Sequence, residues 1–352
     1  MRFYFFVAGI IMRRFLSIAF NAAREILRQP IVLILALACV VTIWLLPVVA
    51  VFCLGQEERI VRDGALASCF VYGLFLVVAC SVASISRQIQ NGTAASVLSK
   101  PVGREVFLAA SYCGIGLVVA AFILTGILAS LLSVRMAVMG ILTDWLVGII
   151  FLVAMILAFA SAAVANFRGH NFCSSSLKAL PAFLALALFI AAFLNPAGGF
   201  LPFGETGHGQ DCSFDYWASG VLTGRHAVFG GFICWKLLLS GLLLFCALAM
   251  LAAIALALSI RFKPVVVLFC CSLVFFVGLL SDYLFFTLAG GQVWAQVCSA
   301  ILPNWQSLGI YEALDLPLSA VWRSMLQACG YTFFYICALL CLGFLSFREA
   351  EI

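Results

Sequence analysis

Eight stretches of this chain are apolar and free of charge, and no other feature limits its fold so tightly. They are Ile31–Leu54, Ala65–Ala83, Phe107–Val134, Trp145–Ala165, Ala179–Leu194, Leu237–Ile260, Pro264–Ser281 and Met325–Phe347. An α-helix needs about 20 apolar residues to cross the hydrocarbon core of a bilayer. These runs are too long for transmembrane strands and do not alternate, which excludes a strand barrel. Composition points the same way: 66% of the 352 residues are hydrophobic and 9% are charged, whereas soluble domains carry about 25% charged residues. One water-soluble core could not enclose so much apolar surface. The expected fold is all-α, a polytopic transmembrane helical bundle with lipid as its solvent.

The shortest run, Ala179–Leu194, is extended at its start by Lys178, whose stem can stay apolar while its ammonium reaches the interface. Counting it gives about eight spans. With seven, either Arg261 and Lys263 or the basic N-terminal segment would face the wrong side. The alternative that preserves parity removes both this run and Trp145–Ala165, leaving six. With the N-terminus inside, the inner segments hold Arg2, Arg13, Arg14, Arg24, Arg28, Arg87, Lys100, Arg104, Arg168, Lys178, Arg261, Lys263 and Arg348, most of the 19 basic residues. Most of the 14 acidic residues fall outside. Both termini are therefore expected to be cytoplasmic. The net charge of +5 lies in short gaps between spans, which suits inner loops and gives no reason to expect nucleic acid as a partner.

The remaining segments divide the chain. Residues 1–30 form an N-terminal segment and 31–352 the membrane domain. Within Arg13–Gln29, Phe15, Ile18, Ala22 and Ile26 recur at helical spacing, with Arg14, Arg24 and Arg28 elsewhere. That pattern predicts an amphipathic helix lying in the membrane interface. No signal-peptide cleavage site is evident near the start, and Met12 is an alternative initiator to Met1. Residues 195–231 and 287–323 are expected outer loops, the second with a short helix over Gln292–Leu302 that ends at Pro303. The 15 cysteines lie mostly in apolar runs, where cysteine acts as a small hydrophobe. Cys212 and Cys298 fall in the two outer loops and are a candidate pair. Trp145–Leu194 and Leu237–Ser281 are each a span, a short basic turn and a second span, a weak internal echo.

The cytoplasmic segment between the second and third spans, residues 85–106, is the most informative. It reads Ile85-Ser-Arg-Gln-Ile-Gln-Asn-Gly-Thr-Ala-Ala-Ser-Val-Leu-Ser-Lys-Pro-Val-Gly-Arg-Glu-Val-Phe107. Gly92 permits a tight turn and Thr93 is a good N-cap. Ala94–Ser99 then supplies about two helical turns. Lys100 precedes Pro101, which disfavours helix at Lys100. A new helix is predicted from near Val102 into the third span. The outcome is a short helix held between two spans on the inner face, suited to passing force from a cytoplasmic partner. The alternative reading of the segment is an ordinary cytoplasmic turn.

The residues of this loop resemble a signature of the ABC-2 permeases, the membrane subunits of ATP-binding-cassette transporters. The match runs through Gly92, Thr93, Leu98, Ser99, Lys100, Pro101, Val102 and Arg104. Asn21-Ala-Ala-Arg-Glu-Ile-Leu-Arg28 is similar to the family's entry helix, and Leu302-Pro-Asn-Trp305 and Phe347-Arg-Glu349 are similar to its C-terminal part. The likeness covers roughly residues 13–134 and 233–352. Gly103 stands where serine is usual, and Gln88 and Gln90 stand where acids are. The family typically has six spans, so Trp145–Gly231 resembles an inserted hairpin with its outer loop.

The resemblance implies a permease subunit of a transporter in the bacterial cytoplasmic membrane, an exporter by the family's habit. The loop would be a coupling helix, with Gly92, Thr93, Leu98, Ser99, Lys100, Pro101 and Arg104 contacting the ATPase. It implies as partners a separate P-loop ATPase carrying ATP and Mg and a second permease chain, identical or similar. No cofactor is expected on this chain, which has no GxxxxGK[ST] sequence to hold ATP.

Two other classes compete. An ion-coupled secondary transporter usually keeps ionisable groups at mid-membrane, and the eight runs have none; Lys236 and Asp282 lie at outer span ends. Gln327 is the clearest polar residue inside a run, suited to a pathway or to a helix-to-helix hydrogen bond. A membrane enzyme would draw on His208, Asp211 and Cys212, with Glu205, Asp215 and His226 nearby, in a glycine-rich loop that reads more simply as solvated. His170 is expected to be solvated on the inner side.

Overall fold

The structure, a computed structural model, describes residues 2–50, 57–86, 104–137, 144–194, 237–280 and 318–349, together with residues 283, 303 and 305. The described residues build an all-helical bundle. Its elements are α1 (Arg2–Leu27), α2 (Pro30–Val49), α3 (Glu57–Ser81) with a π-helical turn at Val82–Ser86, α4 (Arg104–Ala137), α5 (Trp145–Phe167), α6 (Phe172–Ala192), α7 (Leu237–Ser259), α8 (Pro264–Leu279) and α9 (Leu318–Glu349). Seven of these, α2 to α7 and α9, are long and apolar enough to cross a membrane, and α8 is a shorter apolar helix of 16 residues. This is the architecture of an integral, multi-pass membrane protein.

Every apolar run of the sequence contains a helix, but the short one is not where the runs place it. Ala179–Leu194 belongs to a 21-residue helix that begins at Phe172. Its polar opening, Ser174 to Ser176, is accommodated because Ser176 Oγ donates to the Phe172 carbonyl at 2.9 Å, satisfying the hydroxyl inside the helix. The short element is α8. Likewise α3 begins at Glu57, two turns before its apolar run, with Glu57 and Arg62 buried among neighbouring helices.

Neighbouring helices alternate in direction. Thr42 and Tyr72 share a hydrogen bond at 3.0 Å, and Leu46 lies against Gly64, so α2 and α3 run antiparallel. Tyr112 Oη donates to the Ala249 carbonyl at 3.1 Å while Ile127 lies against Gly241, so α4 and α7 are antiparallel as well. The α5–α6 pair packs mainly on itself and then on α4, while α9 packs on α7. The α5–α6 hairpin thus sits on one flank of the bundle.

The core lies where α2, α3, α4 and α7 meet. α7 is apolar all round and buried on nearly every side, as expected for a central helix. Its alanines Ala247, Ala249, Ala252, Ala253 and Ala255 let neighbouring backbones approach. Between α3 and α4, Cys69 fills the space that a side chain at Gly126 would need, since a β-carbon there would stand 2.6 Å from the Cys69 sulfur. Cys39 of α2 brings its sulfur to 4.0 Å from that of Cys69. These cysteines are free thiols acting as small packing groups.

Candidate functional site

The coupling segment itself, with Gly92, Thr93, Leu98, Ser99, Lys100 and Pro101, lies outside the described residues. Arg104 is the first residue of α4, two positions from the predicted restart near Val102. What the structure describes is the frame on which the segment hangs. On one side α3 ends in the π-helical turn Val82–Ser86. Such turns are rare and interrupt the regular hydrogen-bond ladder. Ala83 and Ser84 within it are buried, and the turn is packed by α1, α4 and α7.

On the other side, the first turns of α4 carry Phe107, Leu108, Ala110 and Ser111, all buried. Three helices meet them. α7 is tied to α4 by Tyr112 Oη, and Gly343 of α9 packs against both Leu108 and Ala257. The third is α1, which packs along α4 more extensively than along any other helix. The contact is close because Gly114 has no side chain. A β-carbon there would lie 2.8 Å from the Ala19 carbonyl oxygen and 2.9 Å from the Ala22 β-carbon.

The sequence pattern in α1 was legible in part. Ala22 and Ile26 are buried as the helical spacing predicts, joined by Ala19 and Ala23, while Phe15 and Ile18 are only half-buried. The helix runs unbroken from Arg2 to Leu27 rather than starting near Arg13. It touches both the turn that leads into the coupling segment and the helix that leads out of it. The two ends of the segment therefore share one packing partner.

The opposite end of α4 holds a feature that the apolar runs do not reveal. Arg135 and Asp144 both fall between runs, where they read as loop charges. In the folded chain they are a buried pair, with Nη1 of Arg135 3.3 Å from Oδ2 of Asp144. Nη2 of Arg135 donates to the Leu194 carbonyl at 2.8 Å. Asp144 also caps α5, its Oδ1 accepting from the Val147 amide at 3.4 Å. One arginine thus joins the end of α4, the start of α5 and the end of α6. Close by, Trp44 Nε1 donates to the Gly148 carbonyl at 3.1 Å, fastening α2 to α5. The sequence signal for the pair is that each charge directly adjoins a run, Arg135 after Val134 and Asp144 before Trp145.

A second tie is explained by a proline. Pro47 inside α2 has no amide hydrogen, so the Ile43 carbonyl four residues earlier loses its helical donor. Ser133 of α4 supplies one instead, its Oγ donating to that carbonyl at 2.7 Å. The hydroxyl and the carbonyl are both buried, so each would otherwise be an unmet polar group in an apolar setting.

The remaining candidates are distributed as follows. His170 is exposed in the α5–α6 turn beside Gly169, whose φ is 85°. Gln327 is exposed on the outer face of α9. His208, Asp211, Cys212, Glu205, Asp215, His226, Lys236, Asp282 and Cys298 lie outside the described residues. Among the described residues, no three histidine, cysteine or acidic side chains gather as a metal site would need. Among the described residues, the charged side chains of α2 to α9 lie within two turns of a helix end, whereas α1 carries Arg13 and Arg14 at mid-helix. Comparison with family models, with characterised proteins and with solved structures gives no match. The class that the fold defines is a polytopic helical membrane protein.

Proposed function

We propose that this chain is the permease subunit of an ATP-driven transporter, with eight crossings, both termini in the cytoplasm and its ATPase on a separate chain. The observation that carries the reading is the Gly92–Arg104 segment, whose eight matching positions resemble the coupling loop of ABC-2 permeases. The frame around that loop supports it. Both of its ends lead into buried helices, and α1 braces both. A push on the loop is then delivered to α3 and α4, the helices with the widest contacts in the bundle. The eight apolar runs of the sequence carry no charged residue, which argues against coupling to an ion gradient.

In this mechanism ATP does no chemistry on the chain. Closure of two ATPase subunits displaces the coupling helix. The tied ends at Arg135–Asp144 and Ser133–Ile43 keep the outer half of α2, α4, α5 and α6 together, so the displacement is transmitted as tilting rather than absorbed as local unfolding. Cargo would pass along the interface with a second permease chain.

The test is co-purification of a P-loop ATPase from membranes that express the chain. Replacing Lys100–Arg104 with glycine and serine is expected to abolish it while leaving the folded bundle intact. Full ATPase binding by that variant would overturn the coupling assignment. Ion-gradient-driven transport by the purified chain alone would overturn the ATP-driven reading altogether.

A further inference from the structure

α9 is held to the bundle mainly by α7, with a smaller contact on α4, and it is the least buried of the seven spans. Its register against α7 is fixed at two points. Cys246 and Cys329 bring their sulfurs to 3.9 Å, and further along Gly343 packs against Ala257. α9 therefore runs parallel to α7. Gln327, two residues before Cys329, stands level with Leu244, two before Cys246. Since α7 begins at Leu237, the Gln327 side chain leaves α9 about 10 Å inside the outer end of the central helix.

An amide is out of place there. Gln327 is exposed, and among the described residues no hydrogen bond engages its side chain. Exposed positions within the other spans are apolar, as at Leu117 and Leu124 on α4 and at Ile149, Val153 and Ile156 on α5. Hydrocarbon offers a polar group no partner, whereas a glutamine set between two membrane helices hydrogen-bonds across the contact.

The rest of this face suits a helix better than it suits lipid. Gln327, Tyr331, Phe334, Ala338, Cys341 and Leu345 are all exposed, and they alternate at spacings of four and three. That is the period of two helices packed side by side, which keeps one seam turned to the partner along its whole length. Acyl chains impose no such period. Gly330 flanks the seam, and a β-carbon built there would meet nothing within 4 Å. The chain's own described packing does not require a glycine at that position, but a glycine beside a seam lets a second helix come close.

The occupant follows from symmetry. A primary amide both donates and accepts, so it is complementary to a copy of itself. A two-fold axis along the membrane normal keeps two copies in the same orientation and sets like residues of their helices opposite each other. We propose that α9 is a dimer surface, meeting α9 of a second copy of this chain along the Gln327–Leu345 seam, with the two Gln327 amides hydrogen-bonded across the axis. The permease reading calls for a second chain, and to that extent the proposal rests on it; the choice of α9 rests on the helix itself.

The experiment uses the full chain in membrane vesicles treated with copper phenanthroline. Two copies should be joined through Cys341, which on a parallel seam faces its own counterpart, and the linked peptides are mapped by mass spectrometry after chymotryptic digestion. Cys341→Ser should remove that link. Phe333→Cys, on an exposed flank away from the seam, should create none. Gln327→Leu should weaken the dimer about tenfold, read as the lipid dilution at which half the chains are monomeric, and Gln327→Asn, which keeps the amide, should weaken it less. Every change is at an exposed position, so the bundle should fold in each variant. No link through Cys341, a link through position 333 in its place, an unchanged dimer in Gln327→Leu, or a Cys341 link to a different protein overturns the proposal. A Cys341-linked dimer that binds no ATPase would sink the permease reading and leave the surface. ATPase binding by a chain with no Cys341 link would sink the surface and leave the reading.

Discussion

At Arg135 the sequence and the fold assign the same residue opposite environments. Eight residues separate it from the nearest charge in the chain, Asp144, which reads as an ordinary loop spacing. In the bundle the pair is closed off from solvent. A buried ion pair need not add net stability, because its desolvation offsets its attraction. Breaking it is another matter. Arg135→Met should destabilise the chain by about 3–5 kcal/mol, because it strands the Asp144 carboxylate. Arg135→Met with Asp144→Leu should recover much of that loss. Thermal unfolding of the purified variants checks both, and a mild single variant would show that water reaches the pair. Ser133→Ala should cost about 1–3 kcal/mol by leaving the Ile43 carbonyl unmet. Pro47→Ala in the same chain should remove most of that penalty, because the helix then supplies its own donor.

At the scale of elements, α1 shows what periodicity can and cannot tell. The spacing of Phe15, Ile18, Ala22 and Ile26 identifies an amphipathic helix, but a helix resting on lipid and a helix resting on protein share that pattern. The alanines distinguish them. Ala19, Ala22 and Ala23 are too small to anchor in a membrane and suit a close crossing, which Gly114 of α4 provides. Gly114→Leu should therefore force α1 from α4. The measurement is ATPase co-purification together with thermal unfolding. On the proposed function, ATPase binding falls at least several-fold while the main unfolding transition moves by only a few degrees. An unchanged ATPase yield would mean that α1 takes no part in supporting the coupling loop. α6 and α8 teach the complementary lesson. Run length undervalued α6, because its polar first turn satisfies its own hydroxyl, and overvalued α8, whose helix ends at Leu279.

For the whole molecule the decisive prediction is topological. If the α5–α6 hairpin crosses the membrane, its turn and the segment after α6 lie on opposite sides. A membrane-impermeant thiol reagent applied from outside should then modify Cys212 and leave Cys173 untouched until the membrane is opened. Modification of both from outside would support six crossings. The hairpin's place on one flank fits the resemblance, in which Trp145–Gly231 is the part with no counterpart. Val147, Phe151, Leu180 and Leu184 of the hairpin are buried in the same core as α2, α3, α4 and α7.

The sequence alone determined that the chain is a helical bundle in lipid, because uncharged runs of that length have no other stable solvent. It also located the described helices to within a few turns. It could not determine which polar groups would be buried together. Arg135 meets Asp144 and the Leu194 carbonyl, Ser133 meets a carbonyl freed by Pro47, and Trp305 reaches Phe70 across more than two hundred residues. Each of these contacts depends on how separate helices cross, and a crossing is fixed by the fit of many small side chains at once. Local spacing carries no record of that fit, so only the tertiary structure decides it.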